Sequence, residues 1–289
     1  MYTHPIEDEN CKNILNSIIF EKAISLTSAF GAVFRVRINH EPSALKVIGD
    51  TQLGRNELKI LCAIKKEILD KNLTPCFVRC DNWIVCQRIP EVDSFGPSSL
   101  ENYSREHPHL YFFLNVADYS LYGFPYEMTQ YDVKCIIFEL LYALYVARKV
   151  LKFQHSNVTQ DNILILEINI DRIYTIGSNK FRSSSKYLPL WIDFNTSSIN
   201  EMNSSDEGND VHEIIDLFGH FINEKVDLSD SFVSAFEDLA LKTEKDKGRY
   251  DINSLPLILS SSDFFFDLDV KSTVSQRLSN KEFVQLDKI

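Results

Sequence analysis

The chain has 289 residues, of which 44% are apolar, and its formal net charge is -11 at pH 7. This length and composition suffice for a full hydrophobic core, in one two-lobed domain or in two small ones. The negative charge disfavours direct binding to nucleic acid or to an anionic membrane, and it favours a basic protein or peptide as the partner.

The expected compartment decides the expected state of the cysteines. No apolar run reaches the roughly 18 residues of a membrane span. Residues 1–10 carry three acidic side chains where a signal peptide would be basic. We therefore expect a cytosolic or nuclear protein whose six cysteines are free thiols. Cys76, Cys80 and Cys86 form no C-x2-C pair, so we expect them to pack as small apolar side chains rather than to bind zinc.

The first third of the chain predicts a small sheet with a single helix. Apolar alternation indicates strands at residues 32–38 and 44–48, and an amphipathic pattern indicates a helix at 56–69. A strand pair is predicted at 77–87. A loop rich in proline, glycine and serine follows, and the apolar run 110–116 predicts the last strand.

From residue 129 onward the pattern becomes helical. Apolar residues recur at helical spacing over roughly five turns between residues 133 and 151. Thr129 and Asp132 have the spacing of a capping box, which places the start of this long buried helix. Two apolar runs, 163–168 and 188–192, are predicted to pair as a hairpin that encloses a serine-rich loop.

The last third of the chain predicts more helices. An exposed loop is predicted at 202–209, and helices are predicted at 210–221 and 229–241. Three consecutive phenylalanines in the segment 255–267 are expected to pack in the core. Strands that precede helices in this way indicate an α+β fold.

The residue types that could carry chemistry are concentrated in two segments. They read His155-Ser-Asn-Val-Thr-Gln-Asp-Asn162 and, about thirty residues later, Leu190-Trp-Ile-Asp193-Phe-Asn195. In phosphoryl transfer, a loop after a long helix supplies an aspartate that accepts the proton of the substrate hydroxyl and, five residues later, an asparagine that binds metal. A second aspartate at the end of a short strand then holds magnesium. This pattern predicts Asn162 and Asp193 as metal ligands and puts Asn157 at the position of the proton acceptor.

These segments, with the long helix before them, resemble the eukaryotic protein kinases, whose motifs are H-R-D-L-x-x-x-N and D-F-G. Within that superfamily the run 140–155 is most similar to the haspin-type histone kinases, and some kinases of large DNA viruses are similar as well. The resemblance covers about residues 20–221. It implies a bilobal fold with a β-rich N-lobe at about 1–117, a hinge at 115–117 and a mainly helical C-lobe at 118–289. It also implies a nuclear location if the protein is haspin-like, and a cytoplasmic one otherwise.

The resemblance implies ATP and magnesium as ligands. Gly31 and Val33 resemble the end of the glycine-rich loop that covers the phosphates, but the first two glycines of that loop are replaced by Leu26 and Ser28. Because only glycine lets the backbone approach phosphate closely, weaker nucleotide binding is expected. Lys46, in the sequence A-L-K-V-I, resembles the lysine that contacts the α and β phosphates.

Two glutamates are candidates for the ion pair that this lysine needs. Glu57 fits the pattern of the following helix and lies eleven positions after Lys46, and Glu67 is the second candidate. The backbone of Asn115 and Ala117 would meet the edge of the adenine.

Several positions depart from the kinase pattern. An amide at Asn157 keeps the size of aspartate but has no useful basicity, so it cannot accept a proton at neutral pH. Asp161 is the carboxylate nearest in sequence that could replace it. Ser156 stands where an arginine normally anchors a phosphorylated activation loop. Asn195 replaces the glycine of D-F-G and is expected to tolerate a positive φ. Asp210, seventeen positions after Asp193, resembles the aspartate that opens the central helix of the C-lobe.

These observations leave two functions from different classes. The first is a pseudokinase, a kinase-fold module that binds ATP and magnesium weakly and acts through a protein partner. The second is an active haspin-type Ser/Thr kinase that phosphorylates a basic protein such as a histone tail. The acidic composition suits a basic partner in both cases.

Overall fold

The computed structural model describes residues 8–28, 31–87, 108–199, 209–226, 229–245 and 254–268. Strands dominate the first part of the chain and helices the later part, so the fold is α+β, as the order of the patterns predicted. The chain forms two compact units. Unit 1 comprises Met1–Lys65, Val78–Val116 and Asp193–Thr196, and unit 2 comprises Lys66–Phe77, Ala117–Ile192 and Ser197–Ile289.

Unit 1 is built on an antiparallel sheet of five strands, β1 Ile19–Ser28, β2 Gly31–Ile38, β3 Glu41–Gly49, β4 Cys80–Cys86 and β5 His109–Leu114. Their order in the sheet is β1-β2-β3-β5-β4. Side chains alternate between the two faces of a strand, so Phe34 and Val36 of β2 and Leu45 and Val47 of β3 lie together in one buried cluster. The predicted strand pair at 77–87 is wrong, because this segment supplies only β4.

A helix that the sequence did not predict covers this cluster. Helix α1, Asp8–Asn16, packs its fully buried Cys11 and Leu15 into it. The helix has only nine residues, most of them polar, so its sequence shows no clear helical period of apolar residues.

Cys11 of α1 and Cys86 of β4 form a disulfide, so the prediction of six free thiols is wrong. Their Cα atoms lie 5.9 Å apart although 75 positions separate them in sequence. The sequence prediction compared only neighbouring cysteines, and the partner of Cys86 lies on an element that the sequence did not reveal. Cys76 and Cys80 are free and buried, as expected.

Helix α2, Gln52–Ile64, begins earlier than the pattern predicted because Thr51 caps it, accepting a hydrogen bond from the N–H of Gly54. A π-helical turn, Lys65–Leu69, continues the helix. Glu57, Ile60 and Leu61 are among its buried residues.

Unit 2 is organised around helix α3, Gln130–Leu151, most of whose residues are buried. Its capping box is confirmed, since the Thr129 hydroxyl accepts from the N–H of Asp132 and the Asp132 carboxylate accepts from the N–H of Thr129. Strand β7, Ile163–Glu167, pairs with β10, Tyr187–Trp191, as the apolar runs predicted. The short strand β6, Tyr119–Ser120, pairs with the other edge of β7.

The segment between β7 and β10 was predicted to be a polar loop, but it forms a two-stranded hairpin of β8, Arg172–Ile176, and β9, Asn179–Ser183. The buried Arg172 explains why the strand was missed, because a charged residue argues against a buried strand in sequence. Its Nε atom lies 2.5 Å from Oε1 of the fully buried Glu139 on α3. Tyr174 donates to the same oxygen at 2.7 Å.

The helices predicted in the last third are confirmed as α4, Asn209–Lys225, and α5, Asp230–Lys245. Helix α6, Ser254–Ser261, and a 3-10 turn, Asp263–Leu268, follow. Phe264 and Phe265 are buried as predicted, but Phe266 is 66% exposed, so the expectation that all three pack in the core is wrong.

For two of the predicted loops the structure gives no comparison. The proline-rich loop before residue 108 and the loop at 202–208 lie outside the described residues. Across the described ranges, no helix combines the length and apolarity that crossing a membrane requires.

Candidate functional site

Within unit 1, Lys46 is held between two carboxylates. Its neighbours Leu45 and Val47 point into the cluster under α1, so the alternation of β3 directs Lys46 to the opposite face. The Lys46 Nζ atom lies 2.7 Å from Oε1 of Glu57 and 2.7 Å from Oδ1 of Asp193. Lys46 and Glu57 are both buried, whereas the Asp193 side chain is 23% exposed. Lys46 and Asp193, 147 positions apart, are thus in direct contact.

Of the two glutamates that the sequence offered, Glu57 is the one that contacts Lys46. Glu67 lies on the π-helical turn, where it pairs with Lys66 at 3.2 Å and with Lys71 at 2.5 Å. Burial lowers the pKa of Lys46, but the charges of Glu57 and Asp193 outweigh it, so that its pKa lies above the ordinary value. Lys46 is therefore a cation at neutral pH.

Burial also raises the pKa of Glu57, while Lys46 and the backbone N–H of Phe194 act against that rise. The ammonium thus has one deeply buried partner and one partner that solvent can reach. A buried ion pair of this kind contributes little net stability compared with apolar residues of the same volume. Its presence therefore points to a functional role for these residues.

The segment that carries Asp193 is also fixed by its backbone. The Nδ2 atom of Asn56, on α2, donates to the backbone oxygen of Asn195 at 3.1 Å. The positive φ lies at Asp193, with a value of 63°, and not at Asn195, where the sequence analysis expected it. Aspartate tolerates this left-handed conformation better than most residues, because its short side chain can bond locally.

Gly31 is required by the packing of the sheet. A Cβ atom at this position would lie 2.5 Å from the backbone oxygen of Val47, which is too close for any other residue. Val33, two residues later, is half-buried and pairs with Lys46 across the strands. Leu26 and Ser28 lie in β1, and the structure describes only their backbone. The packing of β2 against β3 is therefore sufficient to explain the glycine at position 31.

The predicted hinge residue Asn115 is tied to the start of β4. Its N–H donates to the backbone oxygen of Arg79 at 3.1 Å, and its side-chain oxygen accepts from the N–H of Arg79 at 2.6 Å. Ala117, the other residue predicted to contact adenine, is half-buried and belongs to unit 2.

Within unit 2, the loop with Asn157 and Asn162 is closed by hydrogen bonds. The Nδ2 atom of Asn162 donates to the backbone oxygen of Asn157 at 3.0 Å. The backbone oxygen of Asn162 accepts from the N–H of Ile192 at 3.2 Å. Asn162 is 8% exposed and Asn157 is half-buried. The two residues that the sequence placed five positions apart are therefore in direct contact.

Asp210, in the first turn of α4, holds the beginning of this loop. Its Oδ2 atom accepts from the N–H of His155 at 2.8 Å, and its Oδ1 atom accepts from the N–H of Ser156 at 2.9 Å. Asp210 is fully buried, and Arg148 of α3 lies 3.4 Å from its Oδ2 atom. Ser156 has a φ of 63°. The carboxylate thus fixes a loop conformation that the free backbone would rarely adopt.

Two further contacts of His155 complete the loop. Its Nε2 atom lies 2.9 Å from the backbone oxygen of Ile192, and its own backbone oxygen accepts from the hydroxyl of Ser197 at 2.8 Å. Sequence reasoning missed Ser197, and it missed Asn56 as well. A serine or an asparagine outside a motif gives no signal for such bonds in a single sequence.

The predicted magnesium ligands have suitable chemistry. Magnesium prefers oxygen ligands, and it commonly binds one or two carboxylates together with phosphate oxygens. Asp193 uses Oδ1 for Lys46, which leaves its second oxygen for a cation. The amide group of Asn162 donates through Nδ2, which leaves its oxygen as an acceptor. Asp193, in unit 1, and Asn162, in unit 2, thus each carry an oxygen of the type that this ion prefers.

No group of three or more histidine, cysteine, aspartate or glutamate side chains that could hold a metal ion occurs in the part of the chain that the structure describes. Where a protein supplies only one or two carboxylates, magnesium takes most of its other ligands from phosphates and water. Asp161, the carboxylate next to Asn162, is exposed.

Comparison of the chain with known proteins adds no family to these observations. The sequence matches no protein-family model, and no curated protein matches it.

Proposed function

We propose that the protein is a pseudokinase with a bilobal protein-kinase-like fold, which binds a magnesium–nucleotide complex weakly and acts through a protein partner. The observation that carries this proposal is the pair of contacts that Lys46 makes with Glu57 and Asp193, each at 2.7 Å. In a protein kinase, a lysine on this strand contacts the α and β phosphates, and it does so only while its glutamate holds it.

The proposal assigns each group of unit 1 a task. Lys46 binds the phosphates, Glu57 orients Lys46, and Asp193 supplies an oxygen to magnesium. Magnesium, when bound, would neutralise the charge of the phosphates. The replacement of two loop glycines by Leu26 and Ser28 makes binding weak, and Gly31 is accounted for by the sheet alone.

The loop of unit 2 supports the loss of catalysis. Asp210 and Ser197 hold the backbone around Asn157, so the local geometry is kept while the carboxylate is not. General-base assistance is worth about 10² to 10⁴ in rate, and an amide cannot supply it. Asp161, the carboxylate nearest in sequence, is exposed. We therefore infer a rate far below that of an ordinary kinase.

The second candidate is an active haspin-type Ser/Thr kinase with a basic protein substrate such as a histone tail. The intact ion pair of Lys46 and Glu57 favours it, because this pair is a requirement of the active state of protein kinases. A nuclear location stays a prediction of the resemblance for both candidates.

Nucleotide binding is tested by the substitution Lys46→Met, with ATP and magnesium titrated by calorimetry. Because a hydrogen bond to a charged group is worth about 1.5–3 kcal/mol, affinity should fall about 10-fold to 100-fold. The control is Lys22→Met, which makes the same change on an exposed position of β1. The melting temperature of both variants shows whether each is folded.

The outcomes separate the possibilities. If wild type binds ATP with magnesium and Lys46→Met alone loses affinity, the proposed binding groups are supported. If the folded wild type shows no binding at all, the nucleotide part of the proposal is wrong. If Lys46→Met and Lys22→Met behave alike, the ion pairs of Lys46 serve the fold and not a ligand.

A further inference from the structure

Three tyrosines lie close together on the surface of unit 2, in the stretch that runs from β6 towards α3. Tyr122 is 71% exposed and Tyr126 is 51% exposed, while Tyr119 is half-buried. Single exposed aromatic residues are common on protein surfaces, whereas a contiguous exposed patch marks an interaction site. We call Tyr119, Tyr122 and Tyr126 the tyrosine surface.

Contacts with a buried phenylalanine hold the rings of the tyrosine surface in place. The ring of the buried Phe124 packs edge-to-face against Tyr119 at 5.6 Å and against Tyr126 at 5.8 Å. Tyr119 and Tyr126 also pack edge-to-face, at 5.8 Å, and their hydroxyl oxygens are 3.4 Å apart. Rings that are already ordered lose little conformational entropy when a partner binds, which is a property of good interface residues.

The tyrosine surface adjoins the loop with Asn157 and Asn162. The backbone N–H of Tyr122 donates to the oxygen of Gln160, at 3.3 Å, within that loop. The N–H of Leu121 donates to the oxygen of Ile163, at 2.8 Å. A molecule on the tyrosine surface would therefore lie beside the residues that the resemblance assigns to phosphate transfer.

The charges around the tyrosine surface are mainly negative. Asp118, Glu127 and Glu167 are exposed, and residues 117–128 contain no lysine or arginine. The hydrogen bond with Tyr126 raises the pKa of Tyr119 to about 12, and the charges of Glu167 and Asp118 contribute to the rise. The side chains of this region thus favour a positive charge.

The protein itself places one lysine on an adjoining ring. The Nζ atom of Lys186 lies 4.8 Å from the ring centroid of Tyr187, and Tyr187 packs against Phe124 at 5.1 Å. An ammonium over an aromatic face is attracted by the negative face of the ring. The ring of Tyr187 is thus in contact with a cation of the protein itself, whereas more than half of the surface of Tyr122 and of Tyr126 is exposed to solvent.

We infer that the tyrosine surface, with Asp118, Glu127 and Glu167, docks a lysine- and arginine-rich segment of a partner protein. Exposed aromatic rings and acidic side chains complement cationic side chains, and the net charge of -11 steers such a partner toward the molecule. This inference states the chemical class of the protein partner in the proposed function. It rests on the part of the proposed function that names a protein partner, and it does not depend on nucleotide binding. A second copy of the chain fits the surface poorly, since acidic groups would face each other.

The test measures binding of a synthetic peptide rich in lysine and arginine to the full chain, by fluorescence anisotropy without nucleotide. A matched peptide with glutamate at every basic position is the control ligand. At an exposed site a cation–π contact is worth about 0.5–1 kcal/mol, so Tyr122→Ala and Tyr126→Ala should each weaken binding about twofold to fivefold. Glu127→Gln should weaken binding mainly at low salt. The control variant Phe266→Ala removes an equally exposed ring elsewhere on unit 2 and should bind as wild type.

Equal binding of the basic and acidic peptides would overturn the inference, and so would unchanged binding by both tyrosine variants. Light scattering on the same samples tests whether a second copy of the chain binds to the tyrosine surface. A dimer in the wild type that dissociates in Tyr122→Ala would show that it does, and would overturn the inference. Since no nucleotide is present, a failed peptide titration leaves the result for Lys46→Met untouched, and the two proposals fail separately.

Discussion

The two units fix their candidate residues by different means. In unit 1 the arrangement rests on charged side chains, with Lys46 in contact with the carboxylates of Glu57 and Asp193. In unit 2 it rests on the backbone, which Asp210 holds through the N–H groups of His155 and Ser156. In the proposed function, unit 1 supplies the groups that bind a nucleotide, and unit 2 lacks the group that would accept a proton. The loop should therefore keep its shape when Asn157 is changed, because Asp210 bonds to the backbone of other residues, whereas an ion pair does not survive the loss of either partner.

The largest effect that we expect is a gain of phosphate transfer when the missing carboxylate is put back into the loop of unit 2. Asn157→Asp restores a carboxylate on a loop whose backbone is already held, so phosphate transfer to histones or to the protein itself should rise about 10²-fold to 10⁴-fold. Labelled ATP with magnesium measures the transfer. Asp161→Asn on the wild-type background is the control and should change nothing, because Asp161 is exposed.

This experiment also separates the two candidate functions. A wild type that transfers phosphate at the rate of an ordinary kinase, with no gain from Asn157→Asp, would contradict the pseudokinase proposal. If neither protein is active but both bind nucleotide, more than the carboxylate has been lost from the loop.

The second effect concerns stability. Asp210→Asn replaces one carboxylate oxygen by an NH₂ group that cannot accept from a backbone N–H, and it removes the charge that faces the buried Arg148. Breaking a buried charged pair costs about 3–5 kcal/mol, so the free energy of unfolding should fall by about 3 kcal/mol in urea denaturation.

The matched control for that loss is Asp216→Asn, on the same helix. Asp216 is exposed and pairs with His212 on the surface, so the change should cost less than about 0.5 kcal/mol. Equal losses in the two variants would show that Asp210 does not hold the loop.

The sequence was most informative where a local pattern carried the signal. The capping box at Thr129, the helix after it and the pairing of β7 with β10 follow from periodicity and from residue type. It was least informative where a contact joins distant residues. The disulfide of Cys11 with Cys86 involves a helix whose nine residues are mostly polar, and the charge of Arg172 in a buried strand is neutralised by Glu139 on a distant helix. Neither partner can be found from spacing along the chain.

The same division applies to the candidate site. The motifs predicted Lys46 and Asp193 from residue type and order, and left Glu57 and Glu67 as alternatives until the contacts decided between them. The residues that hold the backbone had no such signal, since Asn56 looks like any polar residue on a helix. The positive φ at Asp193 was expected at Asn195, because sequence gives the turn but not the residue that takes the unusual conformation.

The smallest effect tests whether unit 1 also depends on backbone contacts. Asn56→Ala removes the hydrogen bond to the backbone oxygen of Asn195, and such a bond contributes about 1 kcal/mol. Because Asn195 lies two residues after Asp193, the loss should loosen Asp193 more than Lys46. The affinity for ATP with magnesium should then fall about fivefold, while the affinity for ATP without magnesium should stay the same. Asn56→Ser, which restores a shorter donor, should recover part of the loss. If Asn56→Ala weakened both affinities equally, the hydrogen bond would support α2 as a whole, and the ion pairs of Lys46 would be the only means by which unit 1 positions Asp193.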